Sequence, residues 1–140
     1  MTEQEIDSTL TDHGPAPYVL DIESATEAND DYRRTIWTGG RLQVTVMAIA
    51  PGDDIGLEVH QDVDQFLRVE SGQGKVQMGP AAGNLIHEWD ARDGDAIFVP
   101  AGTWHNVTAV GAVPLSSTRS IHHRNTRTAL CRPQNPIPNN

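Results

Sequence analysis

Residues 94–110 read Gly-Asp-Ala-Ile-Phe-Val-Pro-Ala-Gly-Thr-Trp-His-Asn-Val-Thr-Ala-Val. Ala96 to Val99 is a short run rich in strand formers. Pro100-Ala-Gly102 then makes a rigid turn, and Trp104 to Val110 resumes in β-branched and aromatic residues, with His105 near its start. Proline and glycine punctuation on this spacing leaves no room for a 3.6-residue period, so the stretch reads as strand, turn, strand. The same rhythm extends backward. Segments 18–22, 34–38, 42–50, 56–60, 65–70, 75–78 and 84–89 are further strand candidates. Turn signals separate them at Gly39-Gly40, Pro51-Gly52, Ser71-Gly-Gln-Gly74, Gly79-Pro80 and Asp93-Gly94. Many short strands with no helical segment between them predict an all-β sandwich or barrel.

A second stretch raises a chemical question. Residues 57–69, LEVHQDVDQFLRV, alternate as a strand would, yet place Glu58 and His60 on one side. After the turn Gln61-Asp-Val-Asp64, Gln65 shares parity with Leu67 and Val69, the expected inward set. Three strands can thus bring Glu58, His60, Gln65 and His105 to one point. A carboxylate and two imidazoles with positions left open form the set that iron(II) favours. A buried, hydrogen-bonded Glu–His pair without metal is the alternative. An isolated buried charge is costly, and either a metal or a polar partner removes that cost.

Composition bounds the rest. The chain has 140 residues, a net charge of −9 and one cysteine. That length suits one domain with a true core. The acidic balance argues against nucleic acid and against anionic membrane surfaces. A single cysteine, Cys131, excludes an internal disulfide and a multi-cysteine zinc site. No apolar run approaches the roughly 20 residues of a spanning helix, and the acidic first 15 residues do not resemble a signal peptide. A cytoplasmic location is therefore expected.

The two blocks around His60 and His105 resemble the paired motifs of the cupin superfamily. Gly94, Pro100, Gly102 and His105 match the second motif, with Ala109 where asparagine is usual. His60 and Gly72 match the first, with Glu58 in place of its leading histidine and Gln65 in place of its glutamate. The resemblance covers about residues 40–112 and implies a cupin-type jelly-roll β-barrel, often dimeric, holding a divalent metal such as iron, manganese, nickel, copper or zinc. It implies Glu58, His60 and His105 as metal ligands. Gln65 is either a further, weaker ligand or a hydrogen-bonding group for a bound water or substrate. Trp104 is a candidate substrate contact and His87 a wall residue. Similar small cupins are likened to sugar-phosphate isomerases of the mannose-6-phosphate type.

Three regions are expected: an acidic N-terminal arm at 1–17, the barrel at 18–114 and an atypical tail at 115–140. After Pro114 the composition changes, with four arginines between Arg119 and Arg132 and three prolines in the last nine residues. Sliding the genetic code by one base, with permissible codons, turns the residues from Leu115 into KLYSIYPPPQHPHGTVQT. That string holds a good strand and resembles the closing segment of small cupins, so the tail reads as a shifted reading frame. Residues 115–121 retain the ability to pair, because backbone hydrogen bonds do not depend on side chains.

The functional expectation is a cupin that binds one divalent metal and acts on a small-molecule ligand, as an isomerase through Lewis-acid polarisation or as an iron(II) dioxygenase. The rival is a metal-free barrel that binds a small ligand or serves only as a homodimer.

Overall fold

The computed structural model describes residues 10–123. Among the described residues, eight strands follow one helix in chain order. They are α1 (Ile22–Ala28), β1 (Arg33–Thr38), β2 (Leu42–Ile49), β3 (Val63–Ser71), β4 (Gln73–Gly79), β5 (His87–Arg92), β6 (Ala96–Val99), β7 (Trp104–Val110) and β8 (Leu115–His123). All pairings between these strands are antiparallel. One sheet has the order β1-β2-β8-β3-β6 and the other β5-β4-β7. This is the expected all-β jelly roll.

The sheets close on Met47, Ile49, Leu67, Val69, Val76, Met78, Ile97, Val99, Val107 and Leu115, all buried. Period-two alternation supplies this face: on β7, His105, Val107 and Ala109 are buried while the residues between them are partly exposed. β2 does not alternate, because its outer face is covered as well. Leu10, Ala25, Ile36 and Val46 form a second cluster there, with Leu20, Ile22 and Val44 against it. A strand covered on both faces loses its polar side.

The structure bears on three stretches of the sequence reading. The segment 18–22 is not a strand; it leads into α1, whose first turn is capped by the Asp21 carboxylate accepting from the Ser24 N–H at 3.1 Å. The described part of the arm, residues 10–17, lies against β1, with the His13 N–H donating to the Ile36 carbonyl and the Trp37 indole donating to the Ala16 carbonyl. The barrel continues past Pro114, since β8 lies between β2 and β3 and pairs along both. Residues 124–140, including Cys131, lie outside the described residues.

β8 is polar yet buried: Ser116, Ser117, Thr118, Arg119 and Ser120 all have little exposure. A backbone ladder on each side satisfies its peptide groups. Outward, Thr118 Oγ1 lies 2.7 Å from Thr26 Oγ1 on α1. Inward, the register sets Arg119 opposite Thr45 and Leu67.

Candidate metal centre

The segment 56–60 is not a regular strand. Gly56 has φ +88°, a left-handed conformation that breaks an extended run, and its N–H is taken by Asp54 Oδ1 at 2.8 Å. The loop after β2 instead runs beside β7 and bonds to it at intervals. Gly52 donates to the Ala109 carbonyl, Ile55 to Val107, and Glu58 and His105 exchange both backbone bonds, at 3.0 and 2.9 Å. At the loop's far end, the Gly102 N–H donates to the His60 carbonyl at 2.7 Å and the Ala101 N–H to Asp64 Oδ1 at 2.8 Å. The turn Pro100-Ala-Gly102 and the loop therefore hold each other, and Glu58 and His60 come to rest beside His105.

Candidate ligand atoms of Glu58, His60 and His105 all lie within 4.8 Å of one another. Bonds of about 2.1 Å place two donors on one ion at most about 4.2 Å apart, so the set has to close by less than about 1 Å to grip one. Glu58 Oε1 is 2.9 Å from His60 Nε2, and both side chains are partly exposed. His105 has no exposure. Its Nδ1 is 3.0 Å from the Thr103 carbonyl, which can only accept, so Nδ1 carries the proton. Burial lowers its pKa and favours the neutral ring, against the opposing pull of that carbonyl and of Glu58. Nε2 holds the ring's lone pair and accepts from the Gln65 amide nitrogen at 2.9 Å, a hydrogen bond that an ion at Nε2 would replace.

Two oxygens here are buried without a hydrogen-bond partner, Glu58 Oε2 and Gln65 Oε1. Acceptors left unsatisfied at the mouth of a two-imidazole cluster are what a cation would fill, so the residues fit a divalent ion. Gln65 is buried on β3 next to His105, within reach of such an ion or of a molecule bound to it.

Not every candidate joins them. Alternation along β7 sets Trp104 on the face opposite His105. His87 is exposed and stacks on Trp89, with ring centroids 5.6 Å apart. One residue the sequence reading did not select does belong: Arg119, 5% exposed, has Nη1 3.9 Å from Glu58 Oε2. Its even spacing from Leu115 and Ile121 on a strand was the available signal.

Residues 45–118 match the Cupin domain family. The chain is 50% identical over 106 residues to the uncharacterized protein YrkC of Bacillus subtilis (strain 168), covering 76% of this chain and 57% of that protein. It is 36% identical over 90 residues to the uncharacterized protein L612 of Acanthamoeba polyphaga mimivirus, covering 64% and 54%. The chain thus spans little more than half the length of these curated relatives. Among solved structures, BH2720 from Bacillus halodurans superposes with a TM-score of 0.80 at 50% identity, over 82% of this chain and 87% of that one. A match over more than half of the chain, together with the double-sheet barrel and its histidine cluster, makes this chain a member of the cupin superfamily.

Proposed function

We propose that the protein binds one divalent metal ion through Glu58, His60 and His105 and acts on a small molecule there. The observation that carries this reading is the convergence of a carboxylate and two imidazoles, with the Glu58 Oε2 oxygen buried and without a hydrogen bond. When bound, such an ion supplies Lewis acidity to a carbonyl or enediolate oxygen, or, as iron(II), the open positions a dioxygenase needs. The chain's own residues do the rest. The Thr103 carbonyl holds the His105 ring with Nε2 inward, and Gln65 offers an amide donor and acceptor to orient a water or substrate. A sugar-phosphate-type isomerase and a dioxygenase are the two chemistries this site serves.

A second reading, a metal-free ligand-binding module, has one observation in its favour. Arg119 already places a positive charge near the Glu58 carboxylate. Elemental analysis of untagged protein separates the two. About one divalent ion per chain is expected, lost in both Glu58→Ala and His105→Ala. Trace metal under every growth condition, unchanged by either substitution, would establish the metal-free module instead.

A further inference from the structure

We propose that Arg119 and the Glu58–His60–His105 cluster together form a subsite for a small carboxylate, so that the metal ion and the carboxylate bind cooperatively. This inference rests on the metal reading above.

Position is the first argument. Arg119 sits on β8, the middle strand of the five-stranded sheet, with β2 and β3 laddered on either side. Its backbone cannot swing away, and its side chain is 6% exposed.

The second argument is unmet hydrogen bonding. Nε and Nη1 are buried and have no acceptor. Glu58 Oε2 is 3.9 Å from Nη1, near enough for attraction but beyond a hydrogen bond. Glu58 Oε2 and Gln65 Oε1 also lack donors, and a cation rather than a carboxylate is what satisfies them. A guanidinium offers its N–H groups as a planar fork, and its best complement is a carboxylate taken through two oxygens.

Charge supplies the third argument. Without metal, the single negative charge of Glu58 offsets the single positive charge of Arg119. His60 and His105 enter as neutral ligands. A divalent ion then leaves this interior with a net charge of about +2, in a region where charge is poorly solvated. Arg33 adds to the positive field: burial first and Arg33 second weaken the hold of Arg119 on its proton, while Glu58 strengthens it. The ionisable groups opposing these are Glu58 first and Tyr32 second. A carboxylate from solution would sit between the Arg119 guanidinium and an ion held by Glu58, His60 and His105, and its negative charge would offset both cations. A neutral sugar hydroxyl would leave the charge in place.

The test is a titration of the full chain with manganese(II), followed by the loss of the free-ion electron paramagnetic resonance signal. It is run in chloride buffer alone and with acetate, acetamide or inorganic phosphate. Acetate is expected to tighten manganese binding about tenfold, within the ordinary range for coupled sites, while acetamide does nothing. Arg119→Met, which removes a positive charge beside the ion, should bind manganese more tightly in chloride and lose the acetate effect. Arg119→Gln, neutral but able to hydrogen-bond, gives the same readout if the methionine variant does not fold. Equal manganese affinity with and without acetate in the wild-type chain overturns the proposal, as does an acetate effect that survives both substitutions. A phosphate effect without an acetate effect overturns the carboxylate assignment. Absence of manganese binding in every buffer counts against the metal reading instead. In that case acetate shifts in the amide spectrum that vanish in the Arg119 variants would support the oxyanion site on its own, and their absence would overturn it.

Discussion

Burial holds the His105 ring below the usual histidine range, because the interior solvates an imidazolium poorly. The folded state is then reluctant to take a proton that the unfolded chain accepts near the ordinary value of 6.5. As pH falls through that value the unfolded state binds more protons than the folded one, so stability present above it is lost on acidification. The urea midpoint of the metal-free protein is therefore expected to fall between about pH 7 and about pH 5.5. His105→Gln should flatten the fall, and an equally steep profile in that variant would show that other groups cause it. Of the site's residues, Glu58, His60, Gln65 and His105 were legible in the sequence. Turn chemistry pointed to His105 and strand parity to Gln65. Glu58 and His60 were selected on a strand parity that their loop does not keep, and they reach the site because that loop is clasped to β7. Arg119 escaped selection because its role depends on which strands flank it.

The connection between β3 and β4 shows how one turn fixes an element. Gly72 has φ +87°, and a Cβ there would lie 2.3 Å from the Pro114 carbonyl oxygen and 2.9 Å from Leu115 Cα. The turn is packed against the entry to β8, so neither backbone can give way to the other. Gly72→Ala should destabilise the protein by at least about 2 kcal/mol, through backbone strain and steric overlap together. Chemical denaturation measures it, and a loss under about 0.5 kcal/mol, the range of an ordinary surface change, would contradict the close approach. β8 also carries the proposal of a shifted reading frame. Its buried polar residues are tolerated by laddering on both sides, which pairing through the backbone allows. The shifted string places isoleucine at the position of Arg119, so it would remove the cation and any carboxylate coupling with it. The nucleotide sequence tests the proposal: an uninterrupted frame through residue 140, shared with close relatives, would dismiss it.

Across the whole molecule, β8 joins what the sequence separated. Truncation after Pro114 would expose facing edges of β2 and β3, remove the buried Leu115 and strip the cover from part of α1. Such a chain should fail to fold, giving collapsed amide dispersion and no cooperative melt. A cooperative transition in residues 1–114 would show that the first seven strands suffice.

The sequence by itself determined the class of structure, most strand positions and the turn that delivers His105, since glycine, proline and period-two patterning act on the nearest few residues. Only the tertiary structure decided that 56–60 is a loop clasped to β7, that α1 and residues 10–20 cover the outer face of the larger sheet, and that a polar strand lies at that sheet's centre with Arg119 turned inward. Those outcomes depend on backbone hydrogen bonds between segments far apart in the chain. Any strand can make such bonds whatever its side chains, so the local pattern carries no record of which partner it will meet.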